Sequence, residues 1–159
     1  AEGLYFLVRN KNHLSDLKAK LKNDFAWTKP NSCPENLNLY LLQEGNFQGV
    51  ATSVSCGQDI AGKGCFSLGM ISAFENTSNN FGPWMYPRLY WECGAIGQML
   101  YLQSEVSGIR STGIGCFFDD PVREIFGIQD SSYQSLYHFT VGGPIEDTRL
   151  TTLSAYPED

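Results

Sequence analysis

The sequence is poor in the residues and runs that several classes of protein require. It has only two histidines, His13 and His138, and its five cysteines include no CxxC pair, so the usual spacings of zinc ligands are missing. No apolar run reaches the roughly 18 residues that a membrane-spanning helix needs. The first residues also lack the basic region and apolar core of a secretion signal. These absences argue against a metal site, a membrane span and a targeting segment.

The familiar catalytic motifs are missing as well. The sequence contains no GxSxG elbow, no HExxH zinc motif and no phosphate-binding GxxxxGK(S/T) loop, and no Cys/His pair suggests a nucleophile with its base. We interpret His13 as a turn residue and His138, in a predicted strand, as a core residue with satisfied hydrogen bonds. A cofactor must therefore supply any demanding chemistry.

The composition is that of a globular domain. Of the 159 residues, 42% are apolar and 18% are charged, which is enough for one α/β domain with its own core. The net charge of -6 at pH 7 is spread without a long run of one sign. A small-molecule substrate is therefore favoured over nucleic acid or an anionic membrane.

The cysteines and the start of the chain suggest two further expectations. An odd number of cysteines without paired spacing is expected to be reduced and mostly buried, which favours a soluble, intracellular protein without indicating its compartment. The sequence opens directly on a strand, without a starting Met. We therefore expect residues 1–159 to form a single domain that is a fragment, or half of a larger or tandem protein.

The first part of the chain alternates between strand and helix patterns. After Ser15, the predicted N-cap, apolar residues recur at spacings of three and four as far as Phe25, which is typical of an amphipathic helix. Up to Gly62 the pattern predicts a strand (4–9), a helix (16–25), a loop (28–35), a second strand (37–42) and a second helix (47–61).

The second part of the chain contains the longest predicted helix. Its apolar face carries Ile96, Leu100 and Val106, and Gly108 follows as a left-handed C-terminal cap. The pattern predicts a central strand (65–71), a polar loop (75–83), the long helix (88–107) and a strand (109–118). It then predicts a short helix (119–126), a strand (137–141) and an extended tail (145–157).

Four glycines lie inside predicted elements, where they reduce stability. Gly94 and Gly97 indicate that a neighbour, most simply another helix, approaches the long helix closely. Gly113 and Gly115 interrupt a predicted strand, where a bulge or bend explains them as well as a ligand does. A flat ligand such as a flavin ring would use the exposed backbone N–H groups of this strand.

Four blocks in the second half resemble the C-terminal signature of nitroreductase-fold flavoproteins. The first block is a helix with Gln98 before two leucines, and the second is a strand that begins after Gly108. The third is a short helix, and the fourth is a glycine-rich strand end with a trailing Arg149. The first half is similar to the SagB-type dehydrogenase branch of that family. The resemblance covers nearly the whole chain, through residues 3–5, 37–39, 55–61, 92–102, 108–117, 122–128 and 142–150.

The resemblance implies a nitroreductase-like α+β fold, with a central mixed or antiparallel sheet flanked by helices and a long central helix. Members of the family usually dimerise through long helices and hold FMN near the subunit interface. The family's backbone contact to flavin N5 falls on Gly115, with Gly113, Ile114 and Cys116 lining the ring. Arg149 matches the residue that grips the FMN phosphate, a task suited to a bidentate guanidinium.

Two departures from the family pattern bear on activity. Further arginines that grip the phosphate come from an N-terminal helix, and this chain starts after its place. Where SagB-type enzymes carry a Lys and a Tyr, this chain has Arg88 and Tyr90, our catalytic candidates. Arg88 stays protonated and cannot act as a general base, whereas Tyr90 can position or protonate a substrate.

The resemblance leaves three functional hypotheses. The leading one is an FMN-dependent oxidoreductase that transfers hydride through flavin N5, with NAD(P)H as a candidate co-substrate. The alternative is a degenerate, flavin-free subunit that serves as a structural or interaction component of a larger complex. In the third, the chain is half of a tandem protein and completes its flavin site with another chain. The expected partner is a second copy or a second nitroreductase-like chain.

Overall fold

Strands and helices alternate along the chain in the computed structural model, which describes residues 2–146 and 148–156. Positions 147 and 157, within the predicted tail, lie outside the described residues. The elements are β1 (Gly3–Leu7), α1 (Leu14–Lys20), β2 (Leu39–Glu44), α2 (Gln48–Val54), α3 (Asp59–Lys63), β3 (Phe66–Ser72), α4 (Phe74–Phe81), α5 (Tyr86–Val106), β4 (Arg110–Ile114), α6 (Asp119–Phe126) and β5 (Gln134–Gly142). Two short 3-10 helices, Lys11–His13 and Pro83–Met85, precede α1 and α5.

The strands form two antiparallel sheets. One contains β1 and β2, and the other has the order β3-β5-β4. The β5 strand is central because it pairs with β3 through Gly69 and His138 and with β4 through Gly113 and Phe139. The prediction of a central strand over residues 65–71 was wrong, because β3 is an edge of the described sheet. The α+β arrangement with antiparallel sheets and a long helix is confirmed.

The main core lies between the two-stranded sheet, α1 and α6. Phe126 of α6 packs edge-on against Phe6 of β1, with ring centroids 5.5 Å apart. The predicted helix over residues 16–25 ends early, because Lys22 donates its backbone N–H to the Phe126 carbonyl at 2.9 Å. Leu17, Leu21 and Phe25 are nonetheless buried together in this core. The apolar spacing therefore predicted the burial of these residues correctly, but it placed the end of the helix too late.

Two other predicted segments differ from the structure. The helix expected over residues 47–61 is split into α2 and α3 by a turn in which Cys56 and Gly57 have φ of 55° and 71°. The polar loop expected over residues 75–83 is mostly helix α4. Its first residue, Phe74, packs against Tyr86 with ring centroids 5.8 Å apart, so a contact distant in sequence supports a helix of weak propensity.

The long helix α5 packs one face on the three-stranded sheet. Cys93, Gly97 and Ser104 are buried there, and a Cβ at position 97 would lie 3.1 Å from Tyr137 Cε1. The close neighbour predicted at Gly97 is therefore a strand residue rather than a second helix. The one predicted at Gly94 was wrong, because no described atom beyond its chain neighbours and the adjoining helix backbone lies within 4 Å of a Cβ there. Gly108 ends the helix with a φ of 68°, as predicted. Val106 is 81% exposed, which contradicts its predicted place on the buried face.

Within residues 2–146 and 148–156, every helix is too short or too polar to cross a lipid bilayer.

Candidate functional site

Gly113 is a packing position at the end of β4. Its backbone N–H donates to the Tyr101 hydroxyl at 2.8 Å. A Cβ at this position would overlap the Tyr137 hydroxyl. The glycine therefore makes room for a tyrosine of the neighbouring strand, and its amide is already used within the chain.

The next two predicted contacts differ sharply in exposure. Ile114 is buried and pairs with His138 of β5, so its side chain belongs to the core. Gly115 follows the last residue of β4 and is exposed. Beyond its chain neighbours, no described atom lies within 4 Å of the point where its Cβ would stand. Of these two positions, only Gly115 offers a bare backbone edge that a flat ligand can approach.

Cys116 is joined to Cys56 by a disulfide, with their Cα atoms 5.8 Å apart. The expectation that all cysteines are reduced was therefore wrong, and Cys116 presents a disulfide rather than a thiol. The left-handed turn between α2 and α3 places Cys56 beside the segment that follows β4. The separation of 60 residues left no local spacing from which to predict the pair. Cys33, Cys65 and Cys93 are free.

Backbone and side-chain hydrogen bonds hold the same two segments together. We call residues 115–118 the post-β4 segment and residues 55–58 the α2–α3 turn. The Phe118 N–H donates to the Val54 carbonyl at 2.8 Å, and the Gln58 amide donates to the Cys116 carbonyl at 3.3 Å. The post-β4 segment is thus held at Cys116 and at Phe118 in addition to its disulfide.

His138 lies beneath the junction of these segments. Its Nδ1 is 3.3 Å from the Ser55 Oγ and its Nε2 is 3.1 Å from the Ser135 Oγ. The Phe117 ring stacks on the imidazole at 4.4 Å. Because the side chain is buried, the pKa of His138 is lowered to about 4. The prediction of a core histidine with satisfied hydrogen bonds is confirmed, and the ring is neutral at pH 7.

Tyr90 lies in the first turns of α5 with its hydroxyl 3.1 Å from that of Tyr86. This hydrogen bond, together with partial burial and nearby negative charge that includes Asp119, raises the pKa of Tyr90 to about 12. The phenol is therefore protonated at neutral pH and available as a donor.

Arg88 engages two exposed indoles. Its guanidinium carbon lies 4.9 Å from the ring centroid of Trp84 and 5.6 Å from that of Trp91. Both distances fit cation–π contacts. Although Arg88 and Tyr90 share the start of α5, these contacts direct the guanidinium to the tryptophans. The catalytic role expected of Arg88 stays a prediction from the resemblance.

Arg149 lies on the exposed tail beyond β5. Strand register places Gly142, where the chain leaves the sheet, opposite Arg110 at the first residue of β4. Gly115 follows the other end of β4, so the sheet does not bring Arg149 and Gly115 to the same edge. The two parts of the predicted FMN site, Gly115 and the tail with Arg149, are thus connected to opposite ends of the paired strands β4 and β5.

Two surface clefts lie away from these residues. The larger, of about 470 Å³, is lined by polar side chains including Asp16, Lys20 and Tyr133. The Tyr133 hydroxyl donates to Asp16 at 2.7 Å, and burial and this bond raise its pKa. The second, of about 390 Å³, includes Pro121 in its lining. Neither lining contains a predicted site residue, and no group of side chains within the described ranges is arranged to hold a metal.

No family model matches this sequence, and no curated protein does either. Among solved structures, the chain is similar to a crystal structure described as that of "a putative nitroreductase" from Anabaena variabilis. The TM-score is 0.62 at 27% sequence identity, over 67% of this chain and 22% of the other. The match therefore spans about a fifth of the length of that protein. Together with the α+β arrangement and the long helix, this likeness supports a nitroreductase-like fold.

Proposed function

We propose that this chain is part of an FMN-dependent oxidoreductase of the SagB-type dehydrogenase branch of the nitroreductase family. The observation that favours this function is the bare backbone edge at Gly115, in a chain similar to a protein described as a nitroreductase. Bound FMN would supply the hydride chemistry through its N5 atom. The substrate is a small organic molecule, and NAD(P)H is the proposed electron donor.

The proposed site divides its tasks among the residues at the end of β4 and the start of α5. Gly115 leaves space for the flavin edge to approach the main chain, and the disulfide of Cys116 fixes this segment beside it. Tyr90 holds its proton at neutral pH and can donate a hydrogen bond to a substrate. Ile114 supports the segment from the core. Gly113 supports it as well, because its amide is bonded to Tyr101.

We propose that the phosphate of FMN is held by Arg149 and that a second chain completes the site. The tail with Arg149 leaves the sheet at the far end from Gly115, and we propose that Arg149 and Gly115 meet across the interface between two chains. The tail also exposes large apolar side chains, as expected for a segment that contacts a partner. These are Ile145, Leu150, Leu153 and Tyr156.

The outer face of α5 supports the same proposal. Met99 and Leu102 are 65% and 52% exposed, and Trp91 and Val106 extend the same helical stripe away from the sheet. Apolar residues at this spacing are typical of a packed helix face. The proposed partner is a second copy of this chain or another nitroreductase-like chain, and the likeness to a much longer chain is consistent with a tandem arrangement.

One observation favours the alternative of a flavin-free structural subunit. The glycine at position 113 is explained by the Tyr137 side chain, and its N–H is bonded to Tyr101. Part of the glycine pattern is therefore accounted for without a ligand. Under this alternative Gly115 has no ligand to accommodate, and a side chain at that position has no effect on FMN.

A titration with FMN distinguishes the two functions. Gly115→Val places a branched side chain in the open space where the flavin edge is proposed to lie. Gly94→Ala is the matched control, because it adds a side chain at another exposed position without described neighbours. We expect the natural chain and the control to quench FMN fluorescence on binding, and the Gly115→Val variant to bind at least about tenfold more weakly. Binding by none of the three would favour the alternative, whereas equal binding by all three would contradict the proposed flavin contact at Gly115.

A further inference from the structure

We propose that Cys56–Cys116 is a redox-active disulfide, whose reduction by a dithiol releases the post-β4 segment from the α2–α3 turn. The disulfide directly connects these two parts of the chain, which are 60 residues apart in sequence. The inference does not rest on the proposed function, because the thiol count and the backbone mobility that it predicts are independent of any cofactor.

The bond is open to attack from solvent. Cys116 is exposed and Cys56 is half-buried, whereas the free thiol of Cys93 is buried. Thiol–disulfide exchange requires that a thiolate reach one of the sulfurs, so access is a main determinant of its rate. Because Cys116 is the more exposed residue of the pair, we expect an external dithiol to attack its sulfur first.

The backbone on both sides of the bond is suited to movement after reduction. Cys56 has a φ of 55°, a left-handed conformation that side chains other than glycine rarely adopt, and Gly57 follows it. On the other side, Gly115 has no described neighbour where a side chain would be. After the bond opens, a 3.3 Å hydrogen bond from the Gln58 side chain to the Cys116 carbonyl still links Cys116 to the turn.

Movement is confined because the flanking residues have other anchors. The Phe117 ring stacks on His138, and the Phe118 N–H remains bonded to the Val54 carbonyl. Ile114 on the other side is buried in the sheet. Reduction therefore loosens a short piece of chain around Gly115 and Cys116 and leaves the two sheets intact. A local and reversible change of this kind is what distinguishes a switch from a structural cross-link.

The exchange balances with a dithiol as the co-reactant. One thiolate of the reductant attacks the Cys116 sulfur, forming a mixed disulfide and expelling the Cys56 thiolate, which takes up a proton. The second thiol of the reductant then attacks the reductant's other sulfur in the mixed disulfide and releases Cys116 as a thiol. The protein gains two electrons and two protons, and the dithiol becomes a disulfide. The reverse sequence restores the bond.

The test compares the oxidised and dithiothreitol-treated full chain without denaturant. Alkylation followed by mass spectrometry should show Cys56 and Cys116 protected before treatment and both modified after it. Amide hydrogen exchange should then become at least about tenfold faster at Gly115, at Cys116 and in the α2–α3 turn, with Phe118 and the other protected amides unchanged. Cys65→Ser, which removes an exposed free cysteine, should behave as the natural chain does.

The Cys116→Ser variant should show the faster exchange with or without dithiothreitol, and Cys56→Ser provides a second test if the first variant does not fold. Modification of Cys56 and Cys116 in the oxidised protein would overturn the proposal. So would a bond that resists dithiothreitol until the protein is denatured. Reduction that leaves exchange unchanged, or accelerates it across both sheets, would show a cross-link without a local switch.

Discussion

The hydroxyl of Tyr137 fills the space that any side chain at position 113 would need. Tyr137 lies on the central strand β5, and Gly113 lies on the adjacent β4, where its partner in register is Phe139. The glycine is therefore required by packing between strands. Gly115, just past the end of the same strand, has open space instead.

This contrast predicts that the same substitution destabilises the protein at one of two nearby positions and is nearly neutral at the other. Gly113→Ala should destabilise the protein by about 1–3 kcal/mol, because its Cβ overpacks against Tyr137. Gly115→Ala should stay within about 0.5 kcal/mol of the natural chain. Urea denaturation measures both. Adding Tyr137→Phe should recover part of the loss at position 113, and a loss that this change leaves untouched would contradict the account.

The buried His138 predicts a loss of stability in acid. Its pKa is about 4 in the folded chain and about 6.5 when unfolded, so the unfolded state binds more protons between these values. Stability is therefore highest above pH 6.5 and falls by up to roughly 3 kcal/mol as the pH drops to 4. Denaturation at a series of pH values tests this, with His138→Gln removing the slope and His13→Gln retaining it.

The hydrogen bond between Tyr86 and Tyr90 predicts a coupled titration. Tyr86→Phe removes the main cause of the raised pKa of Tyr90, which should then fall from about 12 towards its ordinary value. Ultraviolet titration of the tyrosinates measures the change. Tyr156→Phe, in the exposed tail, is the control. If the titration of Tyr90 is the same in both variants, the hydrogen bond does not set the protonation of this residue.

The exposed stripe on α5 predicts how the chain assembles. Met99→Glu and Leu102→Glu should convert an assembled protein to single chains, since each places a charge in the proposed apolar interface. Ile60→Glu makes the same kind of change at an exposed position on α3. Sedimentation velocity reports the size of each variant. A natural chain that sediments as a monomer, or assembly that survives both α5 changes, would contradict the proposed interface.

Local signals in the sequence predicted the elements whose determinants are close together. The long helix followed from apolar spacing and from Gly108, whose left-handed backbone ends it as expected. Strand β5 followed from its apolar residues, which include the fully buried Phe139. Helix α4 could not be predicted in this way, because its polar sequence has weak helix propensity and Phe74 packs against the distant Tyr86.

The candidate site was predicted only in part, because its geometry depends on contacts across the chain. The glycine pattern correctly indicated a close neighbour at position 113, but the neighbour is Tyr137 rather than a ligand. The Cys56–Cys116 pair requires knowledge of the turn between α2 and α3. The roles proposed for Arg149 and Tyr90 remain predictions from the resemblance.

The visible absorption spectrum of the purified protein in its native assembly tests the central claim most directly. We predict a flavin band at roughly 450 nm and, after heat release, FMN in a constant ratio to protein. Arg149→Ala should reduce the amount of FMN retained, whereas Arg9→Ala, which removes a charge from an exposed ion pair with Glu92, should not. A colourless protein that also fails to take up added FMN would contradict the oxidoreductase function.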